Sequence, residues 1–128
     1  MSKASLSAVE RQIIASMLLA ECGPASAFLR QLALARADKR RLTGVGIFVD
    51  LSLPESVPRV DRANTELSTG YRTSFPAPAD LVGFTLFIRE GVLSFLEGYT
   101  YGDVAWPLEP MEDWLILDPV GAPHQKAK

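Results

Sequence analysis

The stretch LVGFTLFIREGVLSFLEGYTY, residues 81–101, carries the plainest structural signal in the chain. Val, Phe, Leu and Ile recur on both sides of Glu90-Gly91, and a two-residue turn with glycine in second place suits a tight β-hairpin. Written without interruption, the hairpin sets Arg89 opposite Val92, Ile88 opposite Leu93, Leu86 opposite Phe95, Phe84 opposite Glu97, and Val82 opposite Tyr99. Because side chains alternate with period two, this register gathers Val82, Phe84, Leu86, Ile88, Leu93, Phe95 and Tyr99 on one core face. It also places Glu97 on that face. A buried carboxylate must be paired, hydrogen-bonded or protonated. From residue 91 to 125 there is no Lys or Arg but six acids: Glu97, Asp103, Glu109, Glu112, Asp113 and Asp118. A partner for Glu97 therefore has to come from elsewhere, and Arg41, Arg72 or a tyrosine hydroxyl are the candidates.

Upstream of the hairpin, the chain begins with a helical pattern. Ser7-x-x-Glu10 is a capping-box spacing. Leu6, Val9, Ile13, Met17 and Ala20 then fall three or four apart, and Gly23-Pro24 ends the run. A second, shorter helix is expected over 24–35, with Phe28, Leu29, Leu32 and Ala35 on one face. Residues 36–41 hold four basic side chains and Asp38, which reads as a solvated turn or strand start rather than a phosphate site. Residues 41–51 read as one strand with Thr43, Val45, Ile47, Val49 and Leu51 on one side. Gly44 and Gly46 on its other side permit a close approach or a bend; a dinucleotide loop would need a third glycine opening a helix. The proline-rich stretch 54–78 is too long for a structureless loop in a small domain, so an edge strand is expected around 66–75. A last ordered piece is expected at 111–117, anchored by Trp114, Leu115 and Leu117.

The 128 residues, 48% of them apolar and 22% charged, suit one core with roughly two-thirds of the unfolded surface buried. Residues 1–128 form a single domain on this reading, with 121–128 a flexible tail. The composition excludes disordered, coiled-coil and collagen-like chains. A formal net charge of −2 argues against nucleic acid as a partner. No apolar run approaches the roughly 20 residues that cross a bilayer. One cysteine, Cys22, allows no internal disulfide. The apolar run 13–20 follows Glu10 and Arg11, unlike a secretory signal, and Glu21 spoils a lipoprotein reading of Cys22. The expected location is cytoplasmic. Cys22 reads as a small apolar residue rather than a nucleophile, since His124, the only histidine, lies in the polar tail.

The densest group of chemistry-bearing residues is Glu97, Tyr99, Tyr101, Asp103 and Trp106. The rings can stack on a ligand or anchor a partner, and the carboxylates can move a proton or hold a cation. Alternatively, this is a packed aromatic hairpin end with Glu97 satisfied by an arginine. No histidine, phosphate loop or metal-ligand cluster supports catalysis, so no catalytic residue, metal or cofactor is assigned.

The segments Thr43-Gly44-Val45-Gly46-Ile47-Phe48-Val49, Gly83-Phe84-Thr85-Leu86-Phe87-Ile88 and Leu96-Glu97-Gly98-Tyr99-Thr100-Tyr101 with Trp106-Pro107 resemble an uncharacterised family of small bacterial proteins. That family carries a TGVGFF-like strand and an LEGYTY…WP hairpin end, and Ile47-Phe48 replaces its double aromatic here. The resemblance implies a small cytoplasmic α+β protein of bacterial origin and no known activity.

The fold expected is α+β, an antiparallel sheet of about four strands packed against an N-terminal helix. The function expected is non-enzymatic: an immunity-like or regulatory protein whose acidic, aromatic surface meets a protein partner or a second copy. The alternative is a small-molecule-binding protein or modest enzyme with Glu97 as acid or base. A concave pocket over Glu97 would favour the alternative, and a flat aromatic patch the first.

Overall fold

A computed structural model describes residues 4–21, 25–61, 63–73, 81–100, 106 and 116–120. Their order is β1 (Ala4–Ser5), α1 (Ala8–Glu21), α2 (Ala25–Leu34), β2 (Arg36–Leu42), β3 (Gly46–Ser52), β4 (Thr65–Thr73), β5 (Leu81–Arg89), β6 (Val92–Thr100) and β7 (Ile116–Val120). The fold is α+β, as expected.

Helix α1 starts where the capping box places it. The Ser7 backbone N–H donates to Glu10 Oε1 at 2.8 Å, and the Glu10 N–H donates to Ser7 Oγ at 3.1 Å. Two orphan donors of the first turn are thereby satisfied. Glu10 is only 2% exposed and takes a second load: Arg40 of β2 donates Nε to Oε2 at 2.9 Å and Nη2 to Oε1 at 2.7 Å. Helix α2 ends against α1 through Arg11, whose guanidinium donates to the carbonyls of Leu32 (2.8 Å) and Ala35 (3.3 Å). A cation on the last carbonyls of a helix offsets both their missing partners and the negative end of its dipole.

The sheet has seven strands in the order β1-β2-β3-β6-β5-β4-β7, with antiparallel pairing throughout. Five strands of seven to nine residues form its body, one more than expected, with short β1 and β7 at the margins. The extra strand comes from the expected single strand over 41–51. That stretch is cut by a turn in which Gly44 takes φ 92° and the Thr43 N–H donates to the Gly46 carbonyl at 2.9 Å. The basic run 36–41 thus becomes β2, paired with β3 in a hairpin. The strand expected near 66–75 is β4, but β7 pairs along its free side, so it is not an edge. Of the expected piece at 111–117, residues 111–115 lie outside the described residues, as do Cys22 and the tail 121–128.

The Glu90-Gly91 turn closes as read, with both residues at positive φ (55° and 76°), the type I′ requirement. Asn64 Oδ1 accepts the Glu90 N–H at 2.7 Å and so supports a residue that is unfavourable in this conformation. Beyond the turn the expected register holds for two pairs only. Ile88 faces Leu93, but Phe87 then faces Phe95, leaving Ser94 without a partner on β5. This one-residue β-bulge turns over every later side chain of β6. The pairs become Leu86 with Leu96, Thr85 with Glu97, Phe84 with Gly98, and Gly83 with Tyr99.

Both helices lie over the face that carries Val82, Phe84, Leu86, Ile88, Leu93 and Leu96, all of them 5% exposed or less. Ile13, Ile14, Met17 and Leu18 of α1 and Phe28 and Leu32 of α2 fill the same core. Tyr71 of β4 is buried in it, its ring edge-on to Phe84 at 5.9 Å. Its hydroxyl donates to the Ile13 carbonyl at 3.2 Å and meets Ser16 Oγ, which ties the sheet to α1.

Candidate functional site

The bulge at Ser94 redistributes the residues singled out from sequence. Glu97 does not face Phe84 on the core side. It pairs across β6 with Thr85 on one flank and Phe48 on the other, on the sheet face away from the helices. It is half-buried there, and among the described residues no hydrogen bond or ion pair holds it. Arg41, a proposed partner, sits 3.5 Å from Asp50 instead, and the Arg72 side chain lies outside the described residues. Tyr99 shares the outer face with Glu97, opposite Gly46 and Gly83.

Trp106 goes the other way. It is 6% exposed and stands edge-on to Phe84 at 6.2 Å, on the helix side of the sheet. Its backbone N–H donates to the Gly44 carbonyl at 2.9 Å. A Cβ placed on Gly98 would come within 2.7 Å of both the Trp106 and the Phe84 rings, so the small residue makes room for the indole. Trp106 is a core anchor, not part of an exposed surface with Glu97 and Tyr99. Tyr101 and Asp103 lie outside the described residues.

What the bulge assembles is a stripe of rings across the outer face. Phe95 of β6 stacks on Phe87 of β5 with centroids 4.1 Å apart and planes 14° apart. On its other side it meets Phe48 of β3 at 6.0 Å in a tilted arrangement. An arginine closes each end: Arg41 lies over the Phe48 ring at 5.1 Å and Arg89 over the Phe87 ring at 5.2 Å. Cations over ring faces are held by the ring quadrupole. Each arginine also has a loose carboxylate partner, Arg41 with Asp50 at 3.5 Å and Arg89 with Glu66 at 3.7 Å. Charges of both signs therefore flank a three-ring centre, and the nearby Ser68 and Thr85 hydroxyls bond each other at 2.8 Å. Neither α1 nor α2 covers these rings, which remain partly exposed.

The uninterrupted register puts Phe95 in the core, and neither Phe48, on the strand face opposite Ile47 and Val49, nor Phe87 is among the residues expected at the site. The alternation of Phe48 against buried Ile47 and Val49 is a usable signal for one outward ring. Nothing in the residues around Ser94 announces the bulge. The buried acid expected on the hairpin is Glu10 at the head of α1, already visible as a capping-box residue.

Among the described residues, no group of three or more His, Cys, Asp or Glu gathers as a metal ion would need. No helix among them is long and apolar enough to cross a membrane. A groove that the described residues do form lies beneath α2, and Glu97 is not among its lining. Compared with known protein families, curated proteins and solved structures, the chain matches none.

Proposed function

We propose that the protein is a non-enzymatic interaction protein that self-associates through the outer face of its sheet. The observation that carries this reading is the Phe48–Phe95–Phe87 stripe, left uncovered by both helices and bounded by Arg41 and Arg89. Contiguous exposed apolar patches on small domains mark contact surfaces, and aromatic residues and arginine are the side chains enriched where binding energy concentrates. Glu97 and Tyr99 share this face with the rings, and neither lines the groove beneath α2, which favours contact over acid–base chemistry.

The charge pattern favours a second copy over a basic partner. One end of the stripe holds Arg41 with Asp50, the other Arg89 with Glu66. A two-fold axis through Phe95 brings one end of each molecule against the opposite end of its partner, so Arg41 meets Glu66 and Asp50 meets Arg89. A closed dimer needs such a self-complementary patch. Both existing ion pairs are exposed and long, so exchanging partners costs little.

Sedimentation equilibrium tests the proposal. The wild-type chain is expected to dimerise in the micromolar range, and Phe95→Lys to remain monomeric at a hundredfold higher concentration. Arg41→Glu and Glu66→Arg are each expected to weaken dimers of their own kind, while in a mixture of the two both cross-contacts between positions 41 and 66 join opposite charges and mixed dimers re-form. A wild-type chain that stays monomeric at millimolar concentration overturns the reading.

A further inference from the structure

We infer that the groove beneath α2 binds a small anionic amphiphile, a single carboxylate on a short apolar tail. The groove is open on one side and encloses about 290 Å³. Ala27, Gln31 and Leu34 of α2 form one wall, and Val57, Pro58 and Val60 of the segment before β4 form the other. Among the described residues, the only charged side chains lining it are two cations, Arg30 on the helix and Arg59 on the segment. Among the described residues neither is in an ion pair. Arg59 donates Nη1 to the Glu90 carbonyl at 3.1 Å, which steadies its guanidinium at the rim.

The groove is built rather than incidental. Gln31, 1% exposed, spends its whole amide on holding the two walls and the hairpin turn together. Its Nε2 donates to the carbonyls of Pro58 (3.1 Å) and Gly91 (2.9 Å), and its Oε1 accepts the Leu93 N–H at 3.0 Å. The Val60 N–H adds a bond to the Gly91 carbonyl at 3.0 Å. Gly91 has φ 76°, and a Cβ on it would fall 2.2 Å from the Val60 carbonyl oxygen, so only glycine lets the segment lie this close. The ligand therefore meets a preformed apolar slot, with no ordering of the walls to offset its binding.

Charge and size together select the occupant. Two arginines with no carboxylate among the described lining residues call for an anion, and guanidinium groups bind carboxylates with paired, charge-assisted hydrogen bonds. The volume lies at the small end of ligand sites, which run from about 300 to 1,000 Å³, and accommodates one short chain rather than the several side chains of a peptide. This site is separate from the outer sheet face and stands independently of self-association.

Calorimetric titration with octanoate, and with octanol as the uncharged match, tests the inference on the full-length chain. Octanoate is expected to bind at least tenfold more tightly than octanol, with methyl shifts confined to Leu34, Val57 and Val60. Arg30→Gln and Arg59→Gln are each expected to weaken octanoate about tenfold, the loss of one charge-assisted bond, and to leave octanol unchanged. Equal affinity for the two probes, undiminished octanoate binding in the double variant, shifts located on Phe48 and Phe95, or no octanoate binding at millimolar concentration each overturn it.

Discussion

Gly46→Ala is expected to cost about 3 kcal/mol or more of folding stability, read as a lowered midpoint in urea unfolding. A Cβ at Gly46 would fall 2.2 Å from the Gly98 carbonyl oxygen and 3.3 Å from the Tyr99 Cα. Both are backbone atoms of β6, so no side-chain rotation relieves the clash. Strands β3 and β6 would have to part, and their pairing from Gly46–Tyr99 to Asp50–Phe95 joins the two halves of the sheet. Gly44→Ala is the matched comparison. Nothing lies within 4 Å of its added Cβ, and the cost is that of a positive φ alone, about 1–2 kcal/mol. Equal losses for the two variants would contradict this account of the β2–β3 turn.

The second large effect falls on Glu10. Glu10→Ala is expected to cost about 3 kcal/mol, combining loss of the helix cap, about 1 kcal/mol, with loss of the charge-assisted bonds to Arg40. Glu10→Gln keeps a capping-box acceptor and is expected to fall between Glu10→Ala and the wild type. Glu97→Gln, by contrast, is expected to change stability by less than about 0.5 kcal/mol, since the carboxylate sits half-buried on the outer face with no ion pair among the described residues. Chemical unfolding of the three variants side by side checks the contrast. A larger loss at Glu97 than at Glu10 would return the buried acid to the hairpin.

These two contrasts mark where the sequence was legible and where it was not. Local chemistry read well. The capping box of Ser7 and Glu10, the short helix ending at Leu34 and the Glu90-Gly91 turn depend on residues a few positions apart, and each specifies its own geometry. The failures lie where a distant strand decides. The alternation through 41–51 persists across Gly44, so period alone does not show that the chain reverses there. The bulge at Ser94 is set by how β6 fits between β3 and β5, and a single unpaired residue moves Glu97, Phe95 and Tyr99 from the core to the outer face. The candidate site shared that fate: Glu97 and Tyr99 stay together, while Trp106 joins Phe84 beneath the sheet.

The face assignment of β6 is therefore the point on which the site, the stripe of rings and the proposed dimer all depend. Single cysteines at positions 95, 96 and 97, each in a Cys22→Ser background, read that assignment through their labelling rates with a soluble thiol reagent at low protein concentration. Phe95→Cys and Glu97→Cys are expected to label readily and Leu96→Cys, at a position 0% exposed, to be protected at least a hundredfold. Rapid labelling at 96 with protection at 95 and 97 would mean an uninterrupted hairpin, and would contradict the account.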